Sequence, residues 1–349
     1  MTLAPEGEPA GPVQWARDAL RLRWKRRRTL WRSLRSRHQL DSVVDRTGAI
    51  RSGQILAFTT LRNEIDRLPH FMEHNRLLGV SHFLVVDNDS DDGSAEWLAE
   101  QPDVSLWSTG ASYKASRFGV DWLGWLQMRH GHGHWCLTVD ADELLLIPHW
   151  PQRTLSDLSA WLEERGDVAF GALMLDLYPK GPLAETDHRP GARPLETLAF
   201  FDAAPYRARR KAFEWNLWVQ GGVRDRLFFA DRPQQAPTLN KLPFIRWNRR
   251  YAYRNSTHSI LPRHLNLSYD GPGDDRASGI LLHTKFLPSA VERSVIEKRR
   301  REHFGSPGQY DAYYDAIAAN PDLWTVDSVR LRDWRQLEEL GLLSRGAWR

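Results

Sequence analysis

Cysteine is almost absent: Cys136 stands alone among 349 residues. One thiol makes no disulfide within the chain and no cysteine metal cluster, which fits a reducing compartment. Long apolar runs are missing as well. No stretch approaches the ~18 residues needed to span a bilayer, and the opening MTLAPEGEPAGPVQW lacks the apolar segment of a secretory signal. A cytoplasmic protein is expected, with the inner face of a membrane as its furthest reach. Tryptophan, by contrast, is abundant, with 16 residues in a chain of 41% apolar content. Such a chain can build a sizeable core and is not a candidate for wholesale disorder. Its length exceeds one ordinary domain and falls within the range of large α/β folds.

Charge is unevenly spread. The net charge is +4, yet residues 1–50 hold eleven Lys/Arg against five acids, a balance of +6 that leaves −2 for the remainder. The basic character therefore belongs to an N-terminal arm. Within it, residues 13–38 read as a helix with Trp15, Trp24 and Trp31 set among arginines. Tryptophan beside clustered arginine suits an interfacial helix on anionic lipid, a possible peripheral membrane contact. A basic helix packed on its own domain fits the same residues equally well. No nucleic-acid-binding motif accompanies the run, so nucleic acid is not expected as a partner.

The stretch that organises the rest is residues 135–148, WCLTVDADELLLIP. An apolar, β-prone segment stops at Asp140-Ala141-Asp142-Glu143 and then resumes. A buried strand tolerates no unpaired carboxylates, so the acids belong at its carboxyl end, where open α/β sheets bind ligands. Residues two apart in extended chain point the same way, so Asp140 and Asp142 face one point and Glu143 faces elsewhere. Two hard carboxylates suit Mg²⁺ or Mn²⁺ with sites left open for phosphate. Taken alone, an acidic solvated turn explains the motif better.

Around it, the chain alternates. Residues 54–60 (QILAFTT) read as a strand, residues 65–78 as a helix capped by Gly79, and residues 81–86 (SHFLVV) as a second strand. DNDSDDGS at 87–94 then leads into another helix, as a plain turn and N-cap or as a contact to nucleotide. Polar residues after each strand mark a parallel α/β half. A loop at 113–119 bears the cations Lys114 and Arg117, and residues 120–130 form a helix. His130, His132 and His134 alternate with glycines and read as a loop in preference to a zinc site. Residues 177–194 are rich in Pro and Gly, as in an acceptor-side lid or an insert. YRARRK at 206–211 is a basic run, either solvated or a seat for an anionic acceptor. Residues 289–349 are read as a helical extension packed on the core.

TLRNE, VVDNDSDDGS and WCLTVDADELLLIP, each following a strand, resemble the motifs of nucleotide-diphosphosugar glycosyltransferases with the GT-A fold, with bacterial family 2 enzymes as the nearest likeness. LMLDLYPKG, GGVRDRLF, LNKLPFIRW and LLHTKF extend it, over about residues 52–304. The resemblance implies an α/β, Rossmann-like, mostly parallel sheet flanked by helices: a basic arm at 1–50, the transferase domain at 51–288 and the extension at 289–349. It implies metal-dependent transfer of a sugar from a nucleotide-diphosphosugar to a hydroxyl of a glycan or lipid-linked acceptor, with inversion, in bacterial polysaccharide or cell-surface glycan assembly. By the same likeness Glu64, Asp87, Asp92, Asp140 and Lys285 belong to the donor site, and Asp140, Asp142 and His283 hold Mn²⁺ or Mg²⁺; the neighbouring Arg62, Asn63 and Asn88 and the loop cations Lys114 and Arg117 are added as donor-site candidates. The family's usual Glu-Asp pair carrying the base is not recognisable. An acceptor hydroxyl still needs a carboxylate. Asp176, polar after an apolar strand, is the preferred base, with Asp225 and Glu214 as alternatives. Competing classes are a sugar-nucleotide nucleotidyltransferase, disfavoured because LRNE has no glycine, and a catalytically dead membrane-bound scaffold.

Overall fold

The computed structural model describes residues 12–189, 191–300 and 307–349. Nine strands form one central sheet. In chain order they are β1 (Asp41–Val44), β2 (Leu56–Leu61), β3 (His82–Asp87), β4 (Val104–Ser108), β5 (Trp135–Thr138), β6 (Glu143–Leu146), β7 (Ala169–Asp176), β8 (Asn240–Arg246) and β9 (Gly279–His283). Their spatial order is β1-β4-β3-β2-β5-β8-β7-β9-β6. Strands β4, β3, β2 and β5 pair in parallel, as do β7 and β9, while β1, β8 and β6 pair antiparallel with their neighbours. The sheet is thus mixed, with β1, β6 and β8 running against the other six.

β2, β3, β5, β6 and β7 are buried at every position, as apolar runs covered on both faces must be. Pairing of β8 with β7 slips between Lys241 and Phe244. Pro243 lies inside that slip; it has no N–H to give the ladder, and a bulge is where a sheet accommodates one.

The α-helices of six or more residues among the described ones are α1 (Pro12–Ser36), α2 (Leu68–Leu78), α3 (Ser94–Glu100), α4 (Val120–Leu126), α5 (Leu155–Glu164), α6 (Ser289–Arg300), α7 (Pro307–Ala318) and α8 (Trp334–Glu339). Helix α2 starts three residues later than the sequence pattern suggests and ends at Gly79, whose φ of 107° lets its N–H and that of Val80 cap the last turn. α5 opens with a capping box between Thr154 and Asp157. α4 packs on β2 and β3, and α1 packs on α4.

Residues 12–50 are therefore not detached from the globule. β1 closes one edge of the sheet against β4, and Arg32 clamps Asp121 of α4 through Nε and Nη2 at 2.9 and 2.7 Å. The run at 135–148 divides into β5, a turn, and β6 on the far side of the sheet. Between β7 and Phe200 the described residues form a 3₁₀ turn, Leu183–Glu185, and one turn of α-helix, Pro194–Thr197, and YRARRK forms one strand of a hairpin, Tyr206–Arg210 with Leu217–Gly221. His130 closes a π-turn, Gln127–Gly131, at the end of α4. Among the described residues no helix is long and apolar enough to cross a membrane.

Candidate active site at the carboxyl edge of the sheet

The strand directions bring seven polar segments to one edge. β2, β3, β5, β7 and β9 end there, and the antiparallel β6 and β8 begin there. Glu64, Asp87, Asp140, Asp142, Glu143, Asp176, Lys241 and His283 all lie at or just beyond these termini. His283 is the register partner of Asp176 on β7 and of Glu143 on β6. Residues more than a hundred positions apart are neighbours because the sheet order interleaves the two halves of the chain.

His283 sits between two carboxylates. Its Nδ1 lies 2.6 Å from Asp176 Oδ1 and its Nε2 3.1 Å from Asp142 Oδ2. Asp176 is held from behind by a two-pronged contact, Arg224 Nε and Nη2 donating to its two oxygens at 2.6 and 2.8 Å. His283, Asp176 and Arg224 are buried, and Asp142 is partly exposed. Burial alone lowers a histidine pKa, but Asp142 and Asp176 outweigh it and hold His283 up at about 9. Burial likewise tends to raise both carboxyls; His283, Arg67 and Lys285 keep Asp142 far below the usual range, and Arg224 with His283 does the same for Asp176. The turn itself is pinned to β9, since the N–H and Oγ1 of Thr284 both donate to the Asp142 carbonyl at 2.7 and 3.0 Å.

Beside this chain of contacts lies a second. Lys241, nearly inaccessible at 3%, places Nζ 2.9 Å from Glu143 Oε1 and 3.3 Å from Asp140 Oδ2. Burial lowers its pKa, and the two carboxylates more than reverse that. Glu143, expected to face away from the aspartates, instead turns inward to share Lys241 with Asp140 and accepts from the Asp140 N–H at 3.3 Å. Asp140 and Asp142 then have different partners: Asp140 meets Lys241 and is half exposed, whereas Asp142 meets His283.

The segments after β2 and β3 are braced against one another. Asp92 accepts from the N–H groups of Ile65 and Ser94, Asn63 and Asp91 exchange two hydrogen bonds, and Arg62 reaches the Asn88 carbonyl and Asp89. Asp87 accepts from the N–H and Oγ of Ser90, while burial pushes its carboxyl pKa up. Asn88 donates to the carbonyls of Thr109 and Ala111. The side chains of Asp87, Asn88 and Asp92 thus shape the turn, as the plainer reading of DNDSDDGS anticipates. Glu64 is clamped by Arg67 at 2.5 Å and Arg293 at 2.8 Å.

Other expected residues fall elsewhere. Arg117 grips Asp121 through Nε and Nη2 and reaches the Tyr253 carbonyl, so it ties α4 to the loop after β8. Lys114 is half-buried in the same loop. Lys285, by contrast, stays near the cluster: its Nζ stands 5.2 Å over the Tyr313 ring beyond the end of β9, and its charge acts on Asp142. Asp225 pairs with Arg207, and Glu214 with Lys25 and Arg254. Sequence reasoning missed Arg224, Lys241, Arg67 and Arg293. The signal for Lys241 was present: a lysine inside LNKLPFIRW, between buried apolar positions, must find an acid.

Among the described residues no group of three or more His, Cys, Asp or Glu has the arrangement of a metal centre. A smaller donor set fits a divalent ion once His283 gives up the Nε2 proton it shares with Asp142, since only the neutral imidazole ligates a metal. Asp142 Oδ2 and His283 Nε2 are 3.1 Å apart, about the spacing of two adjacent ligands of an octahedral ion with bonds of roughly 2.1 Å. Asp176 on the other ring nitrogen is the carboxylate that usually orients a ligating histidine. Carboxylate and imidazole together suit Mn²⁺, which takes its remaining ligands from phosphate and water.

No family model matches the chain, and no curated protein does. Solved structures that match include two of weak similarity. A mannosyltransferase from Pyrobaculum calidifontis, PcManGT, in complex with GDP-Man and Mn²⁺, aligns over 86% of this chain and 80% of its own at 14% identity and a TM-score of 0.31. A 4-diphosphocytidyl-2C-methyl-D-erythritol synthase aligns over 41% of this chain and 67% of its own at 16% identity and a TM-score of 0.24. Scores this low transfer neither fold nor function. The fold and site themselves define a mixed α/β protein with a charged cluster at the carboxyl edge of its sheet.

Proposed function

We propose that this chain is a metal-dependent glycosyltransferase that moves a sugar from a nucleotide-diphosphosugar to an acceptor hydroxyl. The observation that carries the reading is the meeting of Asp142 and His283 at the carboxyl edge, backed by Asp176 and Arg224. Such an edge is where open α/β sheets bind nucleotides, and the resemblance in the D-x-D and LLHTKF segments points to the same residues. Asp142 and His283 would hold the ion, with Asp140 open to solvent beside them. A bound divalent ion neutralises the diphosphate as the glycosidic bond breaks. Lys285 and Arg67, whose charges already act on Asp142, lend further positive potential to the leaving group as its charge develops.

In this reading Asp176 is a positioning residue. Both of its oxygens are engaged by Arg224 and His283, and its carboxyl is held far below the range in which a general base works. It fixes the His283 ring so that Nε2 faces Asp142. The proton of the acceptor must then go to another carboxylate, for which Asp225, paired with Arg207, and Glu214, paired with Lys25 and Arg254, remain the candidates.

The test is calorimetric titration of UDP and GDP with and without Mn²⁺ on the wild type, Asp142→Asn, His283→Ala and the double variant. Mn²⁺-dependent binding should weaken at least about tenfold in each single variant and little further in the double, since losing one ligand already disables the site. Additive losses, or unchanged binding in His283→Ala, would overturn the assignment.

A further inference from the structure

Helix α1 has two faces, and only one is used by the fold. Its inner side is locked to α4: Ser36 Oγ donates to the Asp121 carbonyl, and Ser33 is buried where Gly124 leaves room. A Cβ on Gly124 would come within 2.5 Å of Ser33 Oγ. Together with the Arg32 clamp on Asp121 and the burial of Leu22 and Thr29, these contacts settle which residues point outward.

Pointing outward are Val13, Leu20, Trp24 and Trp31, spaced by seven, four and seven residues, which at 100° per residue puts all four on one narrow stripe. Trp24 is 69% exposed and Trp31 56%. Arg17, Arg28 and Arg35 run along one flank of the stripe and Arg27 along the other, all exposed. Arg27 and Arg35 stack over Trp24 and Trp31 at 6.0 and 5.3 Å. Asp18, the one acid in α1, lies off this stripe and is half-buried.

We propose that the outward face of α1 is a docking surface for an anionic lipid bilayer, on which the helix lies flat with its Trp-Leu seam in the headgroup boundary. Leaving large apolar side chains in water is unfavourable unless something covers them, and here arginine borders the stripe on both sides. Anionic headgroups satisfy both parts at once: they attract the arginines while the seam enters the acyl boundary. A second copy of the chain fits badly, because a twofold contact would set one arginine row against another. Phosphates of nucleic acid would satisfy the arginines and leave the tryptophans uncovered. The docking needs no nucleotide and goes beyond the transfer reaction.

Deleting the arm would remove α1 and β1 from the fold, so outward-facing substitutions are the probe. The full chain is sedimented with vesicles of phosphatidylcholine containing about 30% phosphatidylglycerol, and with phosphatidylcholine alone. The wild type should pellet with the anionic vesicles, bind neutral ones far less, and be released as salt screens the attraction. Trp24→Ser/Trp31→Ser, and separately Arg17→Gln/Arg28→Gln/Arg35→Gln, should each weaken pelleting at least about tenfold. Both variants should keep the wild-type melting temperature and Mn²⁺-dependent nucleotide binding, since no contact of the fold is touched. Failure of the wild type to pellet, or equal pelleting of the tryptophan variant, would overturn the proposal. So would release from the vesicles by excess duplex DNA at constant ionic strength, or a concentration-dependent dimer abolished by the same substitutions.

Discussion

Replacing Lys241 by methionine should be among the most damaging single changes in the sheet, and its size can be worked from the geometry. Lys241 Nζ and Glu143 Oε1 are 2.9 Å apart with side chains 3% and 1% exposed. At an effective dielectric constant of about 20, unit charges at that distance attract by roughly 6 kcal/mol. Desolvation of both groups offsets most of this in the intact pair. Removing one partner leaves the desolvation of the other uncompensated, which costs about 3–5 kcal/mol. Lys241→Met strands Glu143 and should approach that figure. Glu143→Met should cost less, because Lys241 retains the half-exposed Asp140 at 3.3 Å. The double variant substitutes two apolar side chains of similar volume and should recover much of the loss, to within about 2 kcal/mol of wild type. Urea denaturation of the four proteins at pH 7 closes the cycle, and a coupling energy of at least about 2 kcal/mol is expected. Strict additivity, or a Lys241→Met cost below about 1 kcal/mol, would mean that the pair is solvated and that the buried geometry is wrong.

Two further outcomes follow from the packing. His74, buried with Nε2 2.9 Å from the Leu145 carbonyl, has its pKa pushed down by burial to about 4, so the native state keeps it neutral while the unfolded chain takes up a proton near pH 6.5. Its contribution is therefore intact above about pH 6.5 and lost as the pH falls toward 4, about 2 kcal/mol by pH 5; His74→Gln should flatten the fall in urea midpoint between pH 7 and 5, and an unchanged fall would refute the assignment. Gly171 in β7 has no room for a methyl group, since a Cβ there would lie 2.6 Å from Cγ of the buried Tyr269; Gly171→Ala should cost about 1–3 kcal/mol by denaturant melt, and a neutral result would show that Tyr269 moves freely.

The sequence alone settled the parts of this protein that depend on local order. Apolar runs with polar ends placed β2, β3, β5 and β7, because a strand buried on both faces must be apolar and its ligand-facing end need not be. Gly79 marked the end of α2 because only the left-handed conformation closes that cap cheaply. The same logic put Asp140, Asp142 and Asp176 at strand ends, while His283 came from the likeness in LLHTKF. Tertiary structure decided everything that depends on which strand lies beside which. Splitting residues 135–148 between the middle and the edge of the sheet, and running β8 antiparallel between β5 and β7, requires knowing the strand order, which no local pattern encodes. That order turned Glu143 toward Lys241, put Arg224 behind Asp176, and made Asp176 a partner of His283 instead of a free carboxylate. It also placed the basic arm, since the same arginine-rich helix serves a packed or an interfacial role until its inner face is seen against α4. Helical periodicity groups residues on a face, but only the neighbouring helix determines which face is left to solvent.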